Sequence, residues 1–235
     1  MAAPRMDVLS AVCHDLREPL ASVMMGVSYL QKVVPASDAS MVRVVEGLQR
    51  AASAMGNRIA FFSDLAQLQA NELRLHVDRC EVGRLLAVAV EQLSGPSGLR
   101  GVPVSIDPGA LAPRTVRCDQ ERIAQVLQLL GACALRVVPE GGTVLFRVEA
   151  GADRSTIILV MEARPPAGLG ARRLSPALPS PEVALAAGLV ALHDARLHVE
   201  HGDSRLTMSF ELPLQDGVDT SSRHARGDRG SRHHG

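Results

Sequence analysis

Apolar residues recur at alternating intervals of three and four near the start of the chain, and this spacing constrains the fold more than any other feature. One run extends from Met6 to Val34 and a second from Met41 to Ala66. Such alternation is the heptad pattern of helices that pack along a seam. The intervening segment 35–40 combines a proline breaker with helix N-cap residues. The pattern therefore predicts two long helices joined as an antiparallel hairpin.

Each seam carries more apolar residues than one neighbouring helix can cover. A second copy of the hairpin would cover the remainder, because two hairpins can close into a four-helix bundle. We therefore expect a homodimer.

The remainder of the chain predicts a mixed α/β region. Alternating patterns and turn residues place the elements in the following order: helix Glu81–Leu93, strand Val102–Ile106, helix Asp119–Val138, strands Thr143–Glu149 and Thr156–Glu162, helix Pro179–Leu192, and strands Arg196–Glu200 and Leu206–Leu212. We predict a helical domain over residues 1–78, an α/β domain over 79–215 and a disordered tail over 216–235. The predicted fold class is α plus α/β.

Composition argues against several classes of function. The 25 basic and 25 acidic residues balance, which gives no electrostatic case for nucleic acid or a membrane surface. With one Tyr, four Phe and no Trp, few side chains could stack on bases. No apolar run reaches the roughly 18 residues of a bilayer span. The four cysteines are scattered without metal-ligand spacing, so we expect no metal site and a cytoplasmic protein.

An octapeptide within the first predicted helix contains the candidate catalytic residues. It reads Cys13-His14-Asp15-Leu16-Arg17-Glu18-Pro19-Leu20. Because Cys13 belongs to the seam, the next residue, His14, should point beside the seam toward solvent. Asp15 could take the Nδ1 proton while Nε2 attacks a phosphorus atom. Pro19 cannot donate a backbone hydrogen bond, which frees the carbonyl of Asp15 and favours a kink just past the histidine.

This octapeptide resembles the phosphoacceptor box of two-component sensor histidine kinases, roughly His-Glu/Asp-Leu-Arg/Lys-x-Pro-Leu. The segment 61–69 resembles the end of that family's second hairpin helix. The segment 116–127, with Pro139-Glu-Gly-Gly142, resembles the entry to its ATP-binding domain. The resemblance covers roughly residues 5–215. It implies a dimeric phosphoacceptor hairpin, with His14, Asp15, Arg17 and Pro19 at the catalytic position, followed by an α/β sandwich of the histidine-kinase ATPase type.

The resemblance weakens where ATP should bind. The family's magnesium- and phosphate-binding asparagines fall on Leu129 and Cys133, and neither is a hard oxygen ligand. Its lysine position is Arg136. Its Asp-x-Gly-x-Gly motif falls on the segment 162–166, where Glu162 keeps a carboxylate but Arg164 and Pro166 replace glycines. The phosphate loop falls on 178–182, which has two prolines and no glycine.

Three functions remain open at this stage. The leading hypothesis is a histidine phosphotransferase of kinase architecture, whose His14 exchanges phosphate with the receiver domains of response regulators and needs no cofactor of its own. The second is an ATP- and Mg²⁺-dependent histidine kinase that uses Glu162 and Arg136. The third is a non-catalytic pseudokinase that binds a receiver or a separate sensor kinase. The sequence does not identify these partners, the input signal, or whether transfer runs within or between protomers.

Overall fold

A computed structural model describes residues 5–152, 156–166, 174, 180–202 and 204–215. The chain divides into two compact units, Met1–Arg74 and Leu75–Gly235. The predicted tail and the predicted start of the last helix at Pro179 lie outside the described residues.

The first unit is a helical hairpin. Helix α1 spans Arg5–Val33 and continues through Pro19, and helix α2 spans Ala39–Gln69. The turn between them ends at Asp38, whose Oδ1 accepts the N–H of Met41 at 3.0 Å. This N-cap satisfies a backbone donor that has no partner within the helix.

The heptad seam of the hairpin divides into two sets of residues at intervals of seven. The first set lies between the helices and is buried: Cys13, Leu20 and Val27 on α1, and Val45, Ala52, Ile59 and Ala66 on α2. The second set, which we call the outer seam, is exposed in the single chain: Leu16, Val23 and Leu30 on α1, and Met41, Leu48, Met55 and Phe62 on α2. One partner helix therefore covers only half of each seam.

The second unit is a layer of three helices on a five-stranded mixed sheet. Helices α3, α4 and α5 span Val82–Arg100, Gln120–Val137 and Pro181–Ala191. The strands are β1 Asp78–Glu81, β2 Val104–Ile106, β3 Thr115–Cys118, β4 Thr143–Ala150, β5 Thr156–Arg164, β6 His198–His201 and β7 Leu206–Pro213. The sheet order is β2-β4-β5-β7-β6, in which only β2 and β4 are parallel. Two shorter strands, β1 and β3, pair separately in antiparallel fashion.

Alternation along the strands gives the sheet one buried face. Val144, Phe146, Met161, Ala163 and Phe210 are almost completely buried. Because successive side chains point to opposite sides, these residues share the face that packs against the helices. The opposite face carries more polar side chains, including Glu162.

The structure confirms the predicted fold class and differs from the prediction in detail. Helix α3 does not end at Leu93 but continues through Pro96 to Arg100. Proline near a helix end removes only one hydrogen bond, and the actual stop is Gly101, whose φ of 61° suits glycine. The small β1–β3 sheet was not predicted, because four-residue strands rich in charge lack a clear alternation.

Candidate functional site

The predicted phosphoacceptor lies on the surface of α1. His14 directly follows the buried Cys13, and its side chain is 83% exposed, as is that of Asp15. The Nδ1 atom of His14 lies 3.8 Å from Oδ1 of Asp15. This separation is longer than a hydrogen bond. The arrangement leaves Nε2 accessible to a reactant and keeps a carboxylate beside Nδ1.

Arg17, three residues after His14, is engaged with α2. Its Nη2 atom donates to Oγ of Ser63 at 2.8 Å. Ser63 is a buried polar residue between the helices and is only 3% exposed. The Nε2 atom of Gln67 lies 3.4 Å from the same hydroxyl oxygen. The structure therefore brings His14, Asp15 and Arg17 together on one stretch of helix, with the guanidinium directed to the sister helix.

The residue at the family's lysine position already has a partner. Arg136, near the end of α4, forms a two-pronged ion pair with Glu182 in the first turn of α5, with N–O distances of 2.5 and 3.0 Å. Hydrogen bonds from Arg136 lower the pKa of Glu182 to about 2. Ser180 caps the same helix by accepting the N–H of Val183 at 3.3 Å. Sequence reasoning missed this ion pair, because its partners stand 46 residues apart and no local pattern links them.

The other predicted nucleotide-binding residue lies elsewhere. Glu162 is on β5, where its neighbour Ala163 faces the helices, so its carboxylate lies on the opposite face of the sheet. It is almost fully buried and pairs with Arg147 at 3.4 Å and with Arg164. The structure therefore does not bring Glu162 and Arg136 to one site.

The α4 positions that would carry the family's asparagines offer no oxygen ligand. Cys133 is fully buried, and burial raises the pKa of its thiol. Leu129 is apolar. Among the residues that the structure describes, no cluster of three or more histidine, cysteine or acidic side chains could hold a metal ion. No helix in this part of the chain has the length and apolarity to cross a membrane.

A hydrogen-bond network at the start of α4 is the polar feature that sequence reasoning found only in part. Asp119 was predicted as an acidic cap, and its Oδ1 accepts the N–H of Arg122 at 3.1 Å. Its Oδ2 also accepts the N–H of His76 at 2.8 Å. The N–H of Asp119 donates to Nε2 of His193 at 3.0 Å, while Nδ1 of His193 lies 2.8 Å from the carbonyl of Leu189. The network joins the first residues of the second unit to α4 and α5.

A helical hairpin followed by three helices on a mixed five-stranded sheet is the arrangement also found in solved histidine kinases. Comparison with known proteins supports this class, although no family model matches the chain.

The chain is similar in sequence to sensor histidine kinases. It is 30% identical over 142 residues to the sensor protein DivL of Caulobacter vibrioides, and the aligned region covers 59% of this chain and 18% of DivL. It is 25% identical over 160 residues to the adaptive-response sensory kinase SasA of a Synechococcus species, which covers 67% of this chain and 42% of SasA. The chain thus spans less than half the length of these relatives.

Solved structures show the same fold. Full-length ShkA in complex with AMPPNP superposes with a TM-score of 0.67 at 18% identity, over 90% of this chain and 46% of that chain. The histidine kinase AdeS of Acinetobacter baumannii superposes with a TM-score of 0.55 at 15% identity, over 86% of this chain and 98% of that chain. The chain is therefore similar in sequence to sensor histidine kinases and shares the fold of solved histidine kinases, and its reaction must be argued from its own residues.

Proposed function

We propose that this protein is a histidine phosphotransferase built on histidine-kinase architecture, in which His14 exchanges a phosphoryl group with receiver aspartates. The observation that carries the proposal is a contrast within the chain. The His14 imidazole is exposed beside a carboxylate, whereas the Arg136 guanidinium is already bound by the chain's own Glu182. The imidazole needed to accept a phosphoryl group is exposed, whereas Arg136 and Glu162, the charged residues predicted to bind a nucleotide, are ion-paired within the chain.

The transfer step requires only groups that the hairpin provides and those of the incoming receiver. The lone pair of His14 Nε2 attacks the phosphorus of an aspartyl phosphate, and a P–N bond forms. The P–O bond to the receiver aspartate breaks, and the aspartate leaves as a carboxylate. The proton on Nδ1 passes to the neighbouring Asp15 and then to solvent. The receiver supplies its own Mg²⁺, so no metal ligand is needed from this chain.

ATP fits the second unit poorly. A guanidinium that could hold a phosphate is neutralised by Glu182, whose carboxylate would also repel an incoming anion. Leu129 and Cys133 provide no oxygen ligand for Mg²⁺. Glu162 lies on the face of the sheet away from the helices. These disagreements with the requirements of a nucleotide support a domain that is retained for its shape.

The outer seam supports a homodimer. Its residues recur at intervals of seven on both helices and form a continuous apolar stripe that the single chain leaves exposed. A second hairpin presents an identical stripe, so a symmetric pairing buries both at once. We propose that two copies form a four-helix bundle in this way.

A different face of α1 supports receiver docking. His14, Glu18, Met25 and Tyr29 follow one another at intervals of four and seven, which places them on one side of the helix. Met25 and Tyr29 are large apolar residues that remain exposed. This side lies away from the outer seam, so it stays available when two hairpins pair. A receiver bound there would meet the imidazole at one end of its footprint.

The experiment compares two phosphoryl donors on the purified protein. One arm supplies labelled ATP with Mg²⁺, and the other supplies receiver domains charged beforehand with labelled acetyl phosphate. We expect label on His14 from a receiver and none from ATP. The variant His14→Ala should take no label, whereas the matched variant His198→Ala, which removes an exposed histidine of β6, should behave as the wild type.

The alternatives give different outcomes in the same experiment. Label from ATP that disappears in His14→Ala would identify a working kinase, the activity named for the similar sensor kinases. No label from either donor would leave the non-catalytic pseudokinase that binds a receiver or a sensor kinase.

A further inference from the structure

A polar pair interrupts the interface of the hairpin next to the phosphoacceptor. The core between the helices at this level is apolar and includes Cys13 and Ile59. Ser63, four residues after Ile59, is nevertheless a buried hydroxyl that accepts the guanidinium of Arg17 at 2.8 Å. A buried hydroxyl is stabilised by its hydrogen bonds, and Ser63 also has a longer contact with Gln67 on its own helix. The bond from Arg17 crosses between the helices, so it favours an arrangement of α1 and α2 in which Arg17 reaches Ser63.

The pair is well placed to orient His14. Residues three apart on a helix are neighbours on its surface, so the Arg17 side chain starts beside the imidazole. Helical side chains lean toward the N-terminus, which carries the Arg17 stem back past the turn of His14 before it crosses to Ser63. Its charged end is thereby attached to α2. Rotation of α1 about its own axis would break the hydrogen bond and turn His14 at the same time.

We propose, resting on the phosphotransfer function above, that Arg17 is a positioning residue that acts through Ser63 and does not bind the transferred phosphoryl group. The hydrogen bond fixes the rotation of α1 against α2 and so fixes the direction of the imidazole relative to a docked receiver. A fixed direction of the imidazole matters for a bulky donor that must dock in one orientation. A small donor in solution can approach an exposed imidazole from many directions, so its reaction does not depend on a fixed direction of the ring.

The test is a double-mutant cycle on single-turnover transfer from a receiver charged with acetyl phosphate. We expect Arg17→Ala and Ser63→Ala each to slow transfer by about 10-fold, and the double variant by about the same factor, because both remove one interaction. Arg17→Lys, which keeps a donor for Ser63, should recover most of the rate. The matched controls are Arg50→Ala and Ser53→Ala, which remove an exposed arginine and a half-buried serine elsewhere on α2.

A second readout separates positioning from phosphate contact. Labelling by phosphoramidate, a small phosphoryl donor, should proceed at the wild-type rate in all variants of the cycle. Circular dichroism and thermal unfolding of each variant verify that the hairpin remains folded.

Several outcomes would overturn the proposal. A double variant slowed by the product of the single effects, or a Ser63→Ala variant as fast as the wild type, would show that Arg17 does not act through Ser63. Slower phosphoramidate labelling in Arg17→Ala alone would show a direct phosphate contact. If the wild type accepts label from phosphoramidate but from no receiver, the phosphotransfer function fails, and the positioning role fails with it.

Discussion

The hairpin leaves its candidate nucleophile exposed, whereas the α/β unit pairs its candidate phosphate-binding cation with a residue of its own. His14 is 83% exposed, and the adjacent Asp15 lies beside its ring. Arg136, at 44% exposure, is reachable by solvent but is bound in two places by Glu182. A cation can thus lose its availability to a ligand through one internal carboxylate, without any change in the surrounding fold. A nucleophilic imidazole, by contrast, must keep its attacking nitrogen free, because a ring nitrogen engaged by another group cannot attack phosphorus.

The two regions also differ in how fully one chain buries its apolar surface. The sheet of the second unit has a face of almost completely buried residues, among them Phe146 and Phe210, beneath its own helices. The hairpin buries one half of its seam and leaves the outer seam exposed. The α/β unit therefore completes its core by itself, whereas the hairpin would complete its apolar seam only in the proposed dimer.

The largest effect should follow from a charge in the outer seam. We expect Leu48→Glu to weaken the dimer by about 10³-fold, because each dimer would bury two unpaired carboxylates. Light scattering across a dilution series measures the dissociation. The matched control is Leu99→Glu, which changes a leucine of α3 that is 91% exposed. Equal dissociation in both variants would show that the outer seam is not the dimer interface.

A smaller effect should follow from loss of the carboxylate beside the phosphoacceptor. We expect Asp15→Asn to slow transfer from a charged receiver by about 10²-fold, the lower end of what a positioned general base contributes. Single-turnover labelling measures the rate, and Glu46→Gln, an exposed glutamate of α2, is the control. A variant as fast as the wild type would mean that Nδ1 releases its proton directly to water.

The smallest effect concerns the ion pair of the second unit. The pKa of Glu182 is lowered from 4.5 to about 2, chiefly by Arg136, so its contribution to stability is full above pH 4.5 and is lost as the pH falls toward 2. Because the pair is partly exposed, the contribution should be below about 1 kcal/mol. Glu182→Gln should therefore lower the melting temperature slightly at pH 7 and by a smaller amount at pH 2.

The ion-pair prediction is measured by thermal unfolding of wild type and variant over this pH range. Glu91→Gln, an exposed glutamate of α3, should show no such convergence. A constant difference between wild type and Glu182→Gln across the range would show that the carboxylate does not stabilise the fold through its charge.

Local patterns in the sequence predicted the elements that depend on local physics. The heptads placed α1 and α2 within a few residues of their observed ends, and Asp119 was identified as a cap because capping involves only neighbouring residues. The exposure of His14 followed from the burial of Cys13. These features depend on spacing along one helix, which a sequence displays directly.

Features that join distant segments could not be predicted in the same way. Arg136 and Glu182 meet because α4 and α5 pack together, and Arg17 meets Ser63 because the hairpin closes in one register. The face of Glu162 depends on which side of β5 the helices cover, and the apolar run 157–161 within this strand shows no alternation that would indicate the side. Each of these contacts is set by tertiary packing, which overrides any local signal.

The hydrogen bonds of His193 bear on which of the eight histidines can carry a phosphoryl group. Its Nε2 accepts the N–H of Asp119, so the ring is neutral with its proton on Nδ1, which donates to the carbonyl of Leu189. A phosphorus atom bound to either nitrogen would displace one of these hydrogen bonds inside the fold. His193 should therefore be unreactive toward phosphoryl donors. The fold protects this histidine from modification and leaves His14 accessible.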